Sequence, residues 1–221
     1  MARAGFDIQL NQLTADVLQL GGMVEKSLAK ALEALQNRDT QAAEAVIKDD
    51  DLIDHLRFAL EDRCVELIAT QQPMAKDLRI LITILHVAVE LERMGDYAEG
   101  IGKISLMIGD EPLLKPLIDI PLMADKATSM LKQSLQSLVN RDVVTATNVC
   151  NADDEVDALY EQVYRDLLDL MITDPRNVQR ATYLLWVSHD IERIADRATN
   201  IAERVIFLVT GKMTEVNVSK Y

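Results

Sequence analysis

The chain has 221 residues and a formal net charge of −13; 49% of its residues are hydrophobic but only 4% aromatic, with 8 Gly and 5 Pro. A surface this acidic repels nucleic-acid phosphates and anionic lipid, which argues against direct DNA binding and favours cations and basic patches on partner proteins. So few turn-formers argue against a sheet-rich fold, whose turn signals recur every 8 to 12 residues or about that, and leave an all-α fold whose core is filled by Leu, Ile, Val, Ala and nine Met.

The N-terminus, Met1-Ala2-Arg3-Ala4-Gly5-Phe6-Asp7, has no apolar stretch of the secretion-signal kind. Nor does any run approach the ~18 apolar residues of a membrane span, so a soluble, cytoplasmic protein is expected. A first helix is predicted over residues 7–36, ending before Asn37-Arg38-Asp39, where Asp39 can cap the next helix. The second helix, over 40–71, is broken by Pro73, which lacks the N–H and disfavours helix at the residue before it. The third covers 75–108. Its apolar positions lie on two sides, with Leu78, Leu81, Ile82, Leu85 and Val89 roughly opposite Ile80, Ile84, Val87 and Leu91. Such a helix must be sandwiched, against a second bundle or a dimer partner. Asp110, Pro112, Pro116 and Pro121 read as a linker. Three more helices follow over 123–139, 143–172 and 176–210, with Asp174 as a cap, Pro175 at a helix start and Gly211 as the stop. On the last, Ile191, Ile194, Ala195, Ala198, Ile201, Ala202 and Val205 fall on one core-facing stripe.

The second set of helices repeats the first. Leu28-x3-Leu32-x2-Leu35-x-Asn37-Arg38-Asp39 returns as Leu131-x3-Leu135-x2-Leu138-x-Asn140-Arg141-Asp142, and Asp50-Asp51-x2-Asp54 as Asp153-Asp154-x2-Asp157, both at an offset of 103. Pro73 returns as Pro175, and Glu92-Arg93-x2-Asp96 as Glu192-Arg193-x2-Asp196 at an offset of 100. The expected organisation is two tandem three-helix bundles with pseudo-twofold symmetry, over residues 1–110 and 117–213, and a C-terminal tail over 214–221.

Each half sets a pair of carboxylates four residues apart on its second helix, Asp50 and Asp54 or Asp153 and Asp157, and another on its third, Glu92 and Asp96 or Glu192 and Asp196. Antiparallel helices joined by a tight turn bring the two pairs together. His189, Asn200 and Glu203 share a sector with the last pair, nearly opposite the apolar stripe. Converging carboxylates repel one another unless cations bridge them, and hard oxygen ligands suit Mg, Mn, Fe or, with a histidine, Zn. The plainer alternative is solvated surface charge, with Arg93, Arg193 and Arg197 as partners. Cys64 and Cys150 form no Cys-x-x-Cys pair and read as buried thiols, His55 and His86 as structural or solvent-facing, and Tyr183 and Trp186 as packing.

On Gln72-Pro73-x3-Asp77-Leu78-Arg79, Leu91-Glu92-Arg93-Met94-Gly95-Asp96 and Asp190-Ile191-Glu192-Arg193-Ile194-Ala195-Asp196-Arg197-Ala198-Thr199-Asn200-Ile201-Ala202-Glu203, the chain resembles the PhoU family. The resemblance covers both halves. It implies metal clusters on the acidic motifs and no enzymatic activity. It further implies a negative regulator of phosphate uptake and of the phosphate regulon, linking the ATPase subunit of the phosphate ABC transporter to a phosphate-sensing histidine kinase. A homodimer is expected, with membrane contact only through those partners. Gly100 and Lys103 stand where the second half has Asn200 and Glu203, so the first site is expected to be poorer in ligands. The alternative is a di-iron carboxylate-type helical-bundle enzyme or metal store, but such sites use Glu-x-x-His, which the sequence lacks.

Overall fold

Leucine, isoleucine and alanine at helical spacing become six helices in a computed structural model that describes residues 2–212. They are α1 (Ala2–Asn37), α2 (Thr40–Gln71), α3 (Lys76–Ile108), α4 (Asp119–Asn140), α5 (Val143–Thr173) and α6 (Val178–Thr210). A 3-10 turn at Pro175–Asn177 precedes α6, and there is no strand among the described residues. The repeat is written in the helix ends. Arg38 and Arg141 both close their helices in the left-handed region, at φ of 56° and 54°. Asp39 then accepts from the Ala42 N–H at 3.0 Å, and Asp142 from those of Val144 and Thr145 at 2.9 and 3.2 Å. Each cap satisfies donors that the first helical turn leaves free and is worth about 1 kcal/mol.

Packing produces two tandem three-helix bundles, α1 to α3 and α4 to α6, joined along α3 against α6 and α1 against α4. This is why α3 is apolar on two sides. Leu81, Ile84, Val87, Ala88, Leu91 and Met94 are buried and Ile82, Leu85 and Val89 half-buried, but Leu78, expected in the sandwich, is exposed near the start of α3. The predicted stripe of α6, from Ile191 to Val205, is buried throughout. Across the joint, Glu90 of α3 accepts from Arg197 Nη1 at 3.3 Å and from Asn200 Nδ2 at 3.0 Å. Its counterpart on α6, Asp190, meets Gly100 of α3, where a Cβ would stand 2.9 Å from Asp190 Oδ2.

One local expectation is corrected, and another, the Asp174 cap before a helix-start Pro175, is met with α6 beginning slightly later. Pro121 lies inside the first turn of α4, where a missing N–H costs nothing, and so belongs to the helix and not the linker. Pro175 opens the 3-10 turn, with Asp174 accepting from the Arg176 N–H at 3.0 Å, and α6 begins after it. The linker is tied to both bundles, by Arg38 Nη1 to the Asp110 carbonyl at 3.1 Å, by Arg180 to the Pro112 carbonyl, and by Lys115 to Asp166 at 2.7 Å. Within the described residues no helix is long and apolar enough to cross a membrane.

Candidate metal centre

Antiparallel packing of α2 on α3, and of α5 on α6, brings the start of one helix beside the end of the other. In the first half this places Asp50 of α2 against Gly95 of α3. A Cβ there would lie 2.9 Å from Asp50 Oδ1 and 3.1 Å from Ile53, so only a bare backbone admits the carboxylate without displacement. Asp50 is 8% exposed, and its Oδ1 is buried with no hydrogen-bond partner among the described residues. Burial, then the negative charges of Glu99, Asp96, Asp54 and Glu92, push its pKa up to about 7. Glu92 and Asp96 are raised too, by burial first, then by Asp96 for Glu92 and by Asp54 for Asp96. The nearest cation to Glu92 is Arg57 of α2, at 3.9 Å.

In the second half Asp153 is 6% exposed and likewise pushed to about 7, by burial and then by Asp157, Asp196 and Glu192. Glu192, also raised to about 7 chiefly by burial, is only 8% exposed. Here the sequence reading is corrected. Although Glu192 stands off the apolar stripe, α6 is flanked by α3, α4 and α5, and the α5 side covers it. Arg193 donates to Glu192 Oε2 and Oε1 at 2.7 and 2.9 Å, and its Nη1 lies 2.8 Å from Asp196. Tyr160 occupies the α5 position equivalent to Arg57; its pKa is raised by burial and by Glu192, and its ring lies 6.2 Å from that of His189.

The eight carboxylates of the two paired motifs thus gather in two groups of four. Among the described residues, however, no three His, Cys, Asp or Glu side chains close into a preformed ligand cage. In the second half Arg193 sits between two of the carboxylates. The remaining candidates lie apart. Asn200 is held by Glu90 across the bundle joint. Glu203 sits toward Cys150, whose thiol is pushed up to about 12 by burial first and Glu203 second.

The arrangement has counterparts in known proteins. The PhoU domain matches residues 17–105 and again 120–205, one match to each half. The chain belongs to the PhoU family. It is 38% identical over 218 residues to a phosphate-specific transport system accessory protein PhoU homolog of Clostridium acetobutylicum, covering 98% of this chain and 100% of that one. A homolog of the same description from Aquifex aeolicus is 39% identical over 207 residues, 94% of each chain. Two crystal structures superimpose at a TM-score of 0.89 and 31% identity. They are PhoU from Pseudomonas aeruginosa, covering 94% of this chain and all of that one, and the phosphate transport system regulatory protein PhoU from Streptococcus pneumoniae, covering 95% and 99%.

Membership in the PhoU family focuses the chemistry on the donor set. Multiple hard oxygens, a buried aspartate oxygen without a hydrogen-bond donor, and pKa values raised by burial and then by neighbouring carboxylates fit a multivalent cation. The sequence reading missed Glu99. It is the strongest negative neighbour of Asp50 and supplies a carboxylate to the half expected to be poorer. Its spacing from Asp96, three residues along a helix, was the available signal. The repeat hid it, because the counterpart is Thr199. Cys64 and Cys150 are buried free thiols, whereas Trp186, expected in packing, is half exposed beside Tyr183 at 5.8 Å.

Proposed function

We propose that the chain is a cytoplasmic regulatory accessory of a phosphate-specific transport system. It holds multivalent cations on the acidic groups of both halves and acts as an adaptor between the ATPase subunit of the phosphate ABC transporter and a phosphate-sensing histidine kinase. The output is negative regulation of phosphate uptake and of the phosphate regulon, from a homodimer that reaches the membrane only through these partners. The observation that carries the metal part is the recurrence of one buried aspartate, Asp50 and Asp153, at equivalent positions among neighbouring carboxylates. Its relatives' description as phosphate-specific transport system accessory proteins supports the transport-system part.

Asp50, Asp54, Glu92, Asp96 and Glu99 would hold a cation in the first half, and Asp153, Asp157, Glu192 and Asp196 in the second. Fe, Zn, Mg and Mn all accept such oxygen donors, and a bound ion supplies the positive charge that the clusters lack. Arg193 would have to swing away from Glu192 and Asp196 as the ion enters. Metal loading and docking are tested together by titrating the purified chain with Mn²⁺, Zn²⁺ or Fe³⁺ and then offering it the ATPase subunit. A saturable rise in the unfolding midpoint is expected, equivalent to about 2.7 kcal/mol at one hundred times the dissociation constant, together with capture of the subunit. A chain that takes up metal but captures neither the subunit nor the kinase overturns the adaptor reading and leaves the metal reading standing.

A further inference from the structure

The two halves also differ on the α1 side of α2, next to the first acidic group. In the second, Met130 of α4 is 2% exposed and part of the continuous core. Its counterpart 103 residues earlier is Ser27 of α1. A cavity of about 120 Å³ lies there between α1 and α2, with Met23, Val46, Leu52 and Ile53 as its apolar wall. Ser27 lines it, is 7% exposed, and has its Oγ buried with no hydrogen-bond partner among the described residues. Three other buried serines, Ser134, Ser137 and Ser188, each donate to a carbonyl three residues back. Ser27 does not. Its hydroxyl is a buried donor without an acceptor, which costs free energy until a ligand supplies one.

The rim adds charge. Lys26 and Lys30 line the cavity beside Asp49, and Lys30 Nζ lies 2.9 Å from Asp49 Oδ2. Lys26 makes no ion pair with a described residue. In the second half the equivalent positions are Ser129 and Gln133, which satisfy one another at 3.0 Å and carry no charge. One unpaired ammonium, Lys26, beside an apolar wall and a buried hydroxyl donor selects a ligand with an acidic head and a short hydrocarbon body. An engineered apolar cavity of about 150 Å³ accepts benzene, so this one accommodates roughly four to six carbons.

We propose that this cleft binds a short aliphatic monocarboxylate, its chain on the Met23, Val46, Leu52 and Ile53 wall and its carboxylate drawn to Ser27 Oγ and Lys26. Asp49, already paired with Lys30, does not compete for Lys26. The site faces α1, whereas Asp50 faces Gly95 of α3, with Ile53 bordering both.

Titration of the full chain with 4-methylpentanoate, followed through backbone amide signals, tests it. Saturable shifts confined to residues 23–30 and 46–53 are expected, and the neutral 4-methylpentanamide should bind roughly tenfold more weakly. Ser27→Met, which installs the residue of the second half, should fill the cleft and abolish the shifts while the thermal midpoint holds or rises. Ser27→Ala keeps the space but removes the donor, and should weaken binding roughly tenfold; Lys26→Glu should weaken it roughly threefold. Absent or unsaturable shifts, or shifts mapping elsewhere, overturn the proposal. So does a folded Ser27→Met or Ser27→Ala chain that binds like the parent.

Discussion

The two acidic groups hold the same four carboxylates at the same register, yet they are compensated from opposite sides. In the first half the cation nearest Glu92 is Arg57, which comes from α2 and stays 3.9 Å away, while Arg93 is exposed. In the second, Tyr160 replaces Arg57, and Arg193 turns onto Glu192 and Asp196 at 2.7 to 2.9 Å. The same sequence motif, Glu-Arg-x2-Asp, therefore leaves the first group to cations from outside the motif, Arg57 near Glu92 and Lys103 on Glu99, and closes the other with its own arginine. A duplicated motif fixes where carboxylates stand. Its neighbours decide what neutralises them.

The largest expected effect that separates the halves is on pH. Asp50, Asp153 and Glu192 have folded-state pKa values near 7, against 3.8 and 4.5 for the ordinary groups. The folded chain therefore holds protons that the unfolded chain has released. For the metal-free protein this stability is fully present near pH 4 and is lost as the pH rises through about 7. Discounting for solvent screening, the sum is several kcal/mol. Two of these three groups lie in the second half, as does Asp190, which burial also raises to about 7. Denaturant unfolding at successive pH values should thus show the slope flattened more by Asp153→Asn with Glu192→Gln than by Asp50→Asn, and equal flattening would break the comparison.

Next in size is Gly95. Gly95→Val should cost about 3 kcal/mol, because its branched side chain drives into Asp50 and Ile53. At the matching Ala195, replacement by Gly should cost only about 1 kcal/mol, as helix propensity sets it. Urea unfolding measures both. Arg193→Gln should cost about 1 to 2 kcal/mol in the metal-free chain by stranding Glu192, whereas Arg93→Gln should stay within about 0.5 kcal/mol. Excess Mn²⁺ should narrow that gap. At the joint between bundles, Glu90→Ala should cost about 1 kcal/mol by freeing Arg197 and Asn200. Asp190→Asn, at the equivalent place without an arginine, should change stability little near pH 5 and raise it above pH 7, because burial pushes the Asp190 pKa up to about 7.

Much of this was legible in the sequence, for identifiable reasons. The repeat shows because its landmarks are geometric necessities: Asp39 and Asp142 cap helices, and the two prolines end them. The sandwiching of α3 shows because apolar residues on two sides admit no other environment. Positions of the acidic pairs follow from i, i+4 spacing and an antiparallel turn. What escaped depends on contacts between helices far apart in sequence. Glu192 is buried by the neighbours around α6, which a helical wheel does not represent. Asn200 is drawn to Glu90 by the packing of one bundle on the other. Arg193 was visible as a candidate partner, but its choice of Glu192 and Asp196 is made in the packed helices, where Tyr160 stands in place of Arg57. Pro121 was misplaced because proline is as welcome in a first helical turn as in a linker.

The measurement closest to the central claim is metal content per chain after equilibration with Mn²⁺, Zn²⁺ or Fe³⁺ and removal of unbound ion. The parent should be compared with Glu92→Ala/Asp96→Ala and Glu192→Ala/Asp196→Ala. Each double variant should remain helical, because the apolar stripes of α3 and α6 are untouched, and each should lose the metal of its own half while keeping that of the other. A parent that binds no multivalent cation, or a folded Glu192→Ala/Asp196→Ala chain that retains the full metal content, would contradict the account.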